Sequence, residues 1–197
     1  STSPSQAQTV EDQGIAAIAK DVLDAAKQDA KNKLGTDAAA AKKAIDANPN
    51  LSDAEKSAAK SAVDSELAKA TAAVDASTSP SQAQTVEDQG VAAIAKDVLD
   101  AAKQDAKNKL GTDAAAAKKA IDANPNLSDA EKAVAKDAVD ASLAEAVAAV
   151  DASTSPSQAQ TVEDQGVAAI AKDVLDAAKQ DAKNKLGADA TAAKKAI

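Results

Sequence analysis

The chain of 197 residues contains no His, Cys, Tyr, Trp, Phe or Met, and every one of its 23 basic residues is Lys. Without His, Cys or Tyr, the usual general bases, thiolate nucleophiles and transition-metal ligands are missing. Without aromatic residues or Arg, the chain also lacks the common anchors of binding clefts and interfaces. The formal net charge of -8 and pI near 4.6 oppose association with phosphate backbones and anionic membranes, so neither nucleic acid nor membrane insertion is expected. No apolar run approaches the ~20 residues that span a bilayer. The absence of Cys suits any compartment, and the joint absence of Met and Cys removes the easily oxidised side chains, which fits exposure outside the cell. No catalytic, cofactor-binding or metal-ligating residue is assigned, and an enzyme is not expected.

What is present is a globular balance of 45% apolar and 27% charged residues, with Ala supplying 22 of the first 76. Ala has the best helix propensity but buries little area, which predicts long, thin helices packed closely. The segment STSPSQAQTVEDQG starts at Ser1, Ser77 and Ser153, a period of 76 residues. The expected domains are therefore a helical repeat at 1–76, a second at 77–152 and a truncated third at 153–197. The first two differ at only eight positions. Near-identical tandem copies suit an array in which each unit does the same mechanical or binding task. Ser1 opens inside a linker-like segment and Ile197 stops within a helical pattern, so the chain is expected to be a piece of a longer protein.

Each repeat reads as helices separated by two breakers. Ser3-Pro4 interrupts any helix, and Thr9, with Asp12 three residues later, predicts a start at Thr9. From Ile15 through Ile18, Val22, Ala26, Ala30, Leu34, Ala38 and Ala41 to Ile45, apolar residues advance 30 positions in eight steps, a mean of 3.75. That step exceeds 3.6, so the stripe drifts around a straight helix and predicts a break or a right-handed supercoil. Two places compete for the break. Gly35, after Lys31 and Lys33, has the local chemistry of a helix end. A break near Lys20–Asp24 gives a helix matched in length to the next one, and the matched length favours this position. Gly35 would then lie inside the helix, serving a close approach. The third helix starts at the capping box Ser52-Asp53-Ala54-Glu55, with Val63, Leu67 and Val74 as its core face and Lys60 outside.

IDANPNLSDAEK, Ile45 to Lys56, recurs unchanged at Ile121 to Lys132 and places oxygen ligands at nearly every other position. A calcium loop starting at Asp46 needs Gly at its sixth position and Glu at its twelfth. Leu51 and Ser57 stand there, and Ala133 replaces Ser57 in the second copy. A turn accounts for every residue: Asn48 precedes Pro, Pro49 and Asn50 reverse the chain, and Ser52 caps the next helix. The Lys31/Lys33 and Lys42-Lys43 pairs and the Glu11-Asp12 pair read as solvated helix surface, the acids suiting a helix N-terminus.

The turn, the capping box and the Ala-Lys helix ending in AVDAST resemble the tandem domain-of-unknown-function repeats of Gram-positive cell-wall-anchored adhesins and Ebh-type matrix-binding proteins. AQTVEDQG is also similar to the last helix of albumin-binding modules, although the rest of that module does not match. The resemblance implies an all-α fold of tandem three-helix-bundle repeats stacked into an elongated rod outside the cell, and it transfers no catalytic residue. The expected function is a structural stalk that holds a head away from the cell wall. The expected partners are neighbouring repeats of the same chain. The alternative is a repeated module for a host protein such as albumin or a matrix component.

Overall fold

The computed structural model describes residues 3–196; Ser1 and Thr2, which open the expected first repeat, and Ile197, which ends the third, lie outside the described residues. The fold is all-α. Five helices follow in order among the described residues: α1 (Pro4–Asp46), α2 (Asp53–Ala76), α3 (Pro80–Asp122), α4 (Asp129–Ala152) and α5 (Pro156–Lys195).

The expected start at Thr9 is corrected by the structure. Ser3 caps α1, with Gln6 completing a capping box and Pro4 in the first turn. There its missing N–H costs nothing, and its fixed φ suits a helix. Thr9 is interior, its hydroxyl donating to the Ser5 carbonyl at 2.9 Å. Glu11 and Asp12 consequently stand beyond the first turn and do not complement the helix dipole. α2, the expected third helix, begins where the sequence predicts, with Ser52 and Glu55 forming a reciprocal capping box repeated at Ser128 and Glu131.

The expected break is also absent, near Lys20–Asp24 and at Gly35 alike, because α1 and α3 each run 43 residues without interruption. In α3 the drift is resolved by changing the buried face. Ala83, Glu87, Ile94 and Ala101 are buried along its first half, and Ala106, Leu110, Ala114, Ala117 and Ile121 along its second. Continuing the first stripe by one turn reaches the buried Asp105, and the apolar stripe resumes one position later, at Ala106. A helix that serves two cores in succession needs no kink.

The chain forms two compact units. The first comprises residues up to Ala47 together with Ser52–Val98, and the second comprises Asn48–Leu51 with Leu99 onward. In the first unit the buried core combines Leu34, Ala38 and Ile45 of α1, Val63, Ala70 and Val74 of α2, and Ala83 and Ile94 of α3. Leu67, expected in the core, is half-buried, and the small Ala70 occupies the centre of the face. The second unit repeats the arrangement with Leu110, Ile121, Val139, Ala146, Val150 and Ile170. The reason for small central residues is steric. A Cβ added to Gly90 would meet the Ala70 Cβ at 2.5 Å and Leu34 Cδ2 at 2.7 Å, so helices meet there at a distance only Gly permits.

Gly35 serves no such approach: nothing lies within 4 Å of a Cβ built on it. Gly35→Ala is expected to raise stability by about 0.5–1 kcal/mol, through helix propensity and reduced freedom of the unfolded chain. A thermal melt checks it, and a loss of stability would show that Gly35 has a packing partner.

Salt bridges cross each helical hairpin at matching positions. In the first unit Lys31 pairs with Asp75 at 2.9 Å, Lys60 with Asp46 at 2.7 Å, and Lys42 with Asp64. Lys107–Asp151, Lys136–Asp122 and Lys118–Asp140 repeat the set in the second. Each is solvent-exposed in part and contributes roughly 0–1 kcal/mol.

Candidate functional site: the Asn-Pro-Asn turn and its aspartate

The turn after α1 is built by the residues the sequence singled out. Ala47 ends the helix in a right-handed conformation, its N–H donating to the Lys43 and Ile45 carbonyls. No described residue has a positive φ, so Pro49 and Asn50 turn the chain without backbone strain. Three of the side chains that suggested a cation loop, Asp46, Ser52 and Glu55, are engaged elsewhere. Asp46 accepts from Lys60, and the Ser52 N–H and hydroxyl donate to Glu55 at 2.8 and 2.7 Å.

Asn50 has a more specific role. Within the second unit its N–H donates to Asp105 Oδ1 at 2.6 Å and its Nδ2 donates to Oδ2 at 3.0 Å. Asn108, one turn further along α3, donates from Nδ2 to the Asn50 carbonyl at 3.0 Å. Asp105 is 3% exposed, and its two oxygens clamp the two donors of one Asn. The geometry recurs at Asn126, whose N–H and Nδ2 reach Asp181 at 2.7 and 3.1 Å, with Asn184 donating to its carbonyl at 2.9 Å. Sequence reasoning read Asn50 as a turn former and passed over Asp105 and Asn108. The available signal was a pair of polar residues, Asp105 and Asn108, spaced i, i+3 beside the drifting apolar stripe.

The capping-box acid of the second turn is held from two sides. Glu131 of the α4 capping box accepts from the Ser128 N–H at 2.9 Å, and Asn184 Nδ2 of α5 donates to both of its oxygens at 3.0 and 3.1 Å. These donors, the Ser128 N–H first and then Asn184 and the Ser128 hydroxyl, hold its pKa down to about 2 from 4.5. A depressed carboxylate contributes stability that is fully present above the unfolded value and is lost as pH falls through the folded one. Glu131→Gln should therefore lower the melting temperature at pH 7, and the gap from the parent should close between pH 4.5 and 2. A gap constant with pH would mean that the carboxylate charge is not what the donors recognise. Glu163 works in the opposite direction. It is buried on α5, and desolvation pushes its pKa up, with the Gln160 hydrogen bond opposing and the Asp105 carboxylate reinforcing.

Other candidate surfaces offer little chemistry. Lys31, Lys33 and Lys42 are paired with Asp75, Asp37 and Asp64. A groove of about 430 Å³ between α4 and α5 is lined by Leu127, Ala130, Val134 and Ala138, with Asp173, Asp176 and Glu131 as its acids. It presents no nucleophile beside a base. Among the described residues no group of three acids or other ligands is placed to hold a metal ion. No helix is long and apolar enough to cross a membrane among the same residues.

The geometry thus describes a helical repeat whose distinctive polar groups bind its own chain. No curated protein and no solved structure shows a significant match. The model of a domain of unknown function, DUF1542, matches residues 26–101 and again 102–178. The two matches start 76 residues apart, the period of the sequence, and the second begins within α3 beside the clamp aspartate Asp105. With two tandem copies covering most of its length, the chain belongs to the DUF1542 family.

Proposed function

We propose that the chain is a length of structural stalk: three-helix units in tandem, forming an elongated part of an extracellular, cell-wall-anchored surface protein and carrying a functional head away from the wall. It has no catalytic role and no cofactor in this reading, and its partners are neighbouring repeats.

The observation that carries the proposal is a contrast between the inward and outward residues of the two copies. The clamp is the same in both, with Asn50–Asp105 at 2.6 and 3.0 Å and Asn126–Asp181 at 2.7 and 3.1 Å. On α2, the exposed row Ser57, Ser61, Ser65 and Lys69 becomes Ala133, Asp137, Ala141 and Glu145 on α4, which are equally exposed. A hydroxyl becomes an acid and a Lys becomes a Glu. A binding face common to every repeat would be weakened by such charge reversal, whereas a solvated spacer would be indifferent. The 43-residue helices also give reach, about 65 Å each at 1.5 Å per residue.

Surface plasmon resonance with the 197-residue chain tests the reading against its rival, the host-protein module. The stalk predicts no affinity tighter than about 10 µM, or about -7 kcal/mol, for albumin, fibronectin or fibrinogen. Submicromolar binding whose stoichiometry rises with each added repeat would replace the stalk with the binding module.

A further inference from the structure

The first half of α1 exposes an apolar row that its counterparts bury at one position and half-bury at the others. Val10, Ile15, Ile18 and Val22 are 68%, 60%, 67% and 54% exposed. One period later, Ile94 of α3 is 2% exposed, and two periods later so is Ile170 of α5. The difference is a covering hairpin. Leu34 of α1 and Ala70 of α2 close on Gly90, and Leu110 of α3 and Ala146 of α4 close on Gly166. A Cβ at either glycine would come within 2.5 Å of the facing Ala, whereas a Cβ on the equivalent Gly14 meets nothing within 4 Å. Charge follows the same pattern. Lys33 of the covering hairpin lies in the field of Glu87 and Asp88 on α3, and α1 carries Glu11 and Asp12 in the equivalent places.

We propose that the Val10–Val22 face of α1 is a docking surface for a helical hairpin of this repeat class, contributed by a further repeat joined ahead of Ser1 in the same polypeptide. The structure shows the required occupant twice, and each time it is the hairpin that precedes the docking helix in the chain. It presents a Leu and an Ala to the glycine and a Lys to the acidic pair. A second copy of the chain is a poor occupant, since its two complete hairpins are already covered by its own α3 and α5. Covalent linkage adds a high effective concentration for the preceding hairpin. The inference rests on the tandem-array part of the stalk reading and names the partner of this face.

The test uses the 197-residue chain and an extended chain in which a copy of residues 102–152 is placed ahead of Ser1, each with and without Gly14→Ala. In the 197-residue chain the substitution sits on an open helix face and should raise the melting temperature. In the extended chain it should lower it, because the new Cβ meets the docked Ala. Hydrogen exchange of the amides from Val10 to Val22 should slow by at least about tenfold on extension. The same sign of effect in both chains, or unchanged exchange, would overturn the proposal. So would concentration-dependent dimerisation of the 197-residue chain that protects these amides, which would assign the face to a second copy. Tight binding of a host protein would sink the stalk without altering the reversal of sign at Gly14, so the two failures are distinguishable.

Discussion

Leu110→Ala is expected to lower the unfolding free energy by about 3–4 kcal/mol in urea denaturation followed by circular dichroism. Leu110 is fully buried, and its Cδ2 lies 2.7 Å from where a Cβ on Gly166 would be. The cost exceeds the minimum for such deletions because the neighbours cannot fill the space. Ala106, Ala114 and Ala146 have no side chain to swing inward, and Gly166 has none at all. Collapse would require whole helices to move. Leu67→Ala, at a half-buried site, should cost only about 1 kcal/mol. Equal losses at the two positions would contradict the assignment of Leu110 to the centre of the core.

Asp105→Ala should cost about 2–4 kcal/mol, although it removes no apolar contact of consequence. The substitution deletes both acceptors of the Asn50 N–H and Nδ2 at a site where Asp105 is 3% exposed, so the donors lose charge-assisted partners and recover little water. Asp105→Asn keeps one acceptor and should cost about half as much. Asp181→Ala should cost less than Asp105→Ala, because Asp181 makes equivalent bonds to Asn126 but is only half-buried. Lys60→Ala, which removes an ion pair at 2.7 Å to the exposed Asp46, should cost less than about 0.5 kcal/mol. Urea unfolding of the four variants ranks them directly. A loss at Lys60 as large as that at Asp105 would mean that surface pairing rather than the buried clamp holds the turn.

The parts of the fold legible in the sequence were those specified by neighbours in the chain. The capping box at Ser52 and Glu55 and the bend at Pro49 involve residues within a few positions of one another, and the structure places them as read. The start of α1 carries an equally local signal, Ser3 followed by Gln6, but Pro4 reads as a breaker from the sequence and acts as a first-turn residue in the structure. The break expected in the long helix came from treating a drifting stripe as one face. It is two faces in succession, and only the partners of α3 reveal where one ends at Ala101 and the next begins at Ala106. The clamp was illegible for a related reason: Asn50 and Asp105 lie 55 residues apart, and nothing local says that a turn former will meet a particular carboxylate. The glycines show the same limit. Gly14 and Gly90 both end an EDQG segment, yet only Gly90 has side chains pressed against it.

Small-angle X-ray scattering on the 197-residue chain and on versions lengthened by one and two 76-residue repeats tests the stalk most directly. The account predicts a radius of gyration well above the roughly 16 Å of a compact globule of this length, and a maximum dimension that grows by the same increment with each repeat. A radius near the compact value, with a maximum dimension that rises only as the cube root of the chain length, would contradict it.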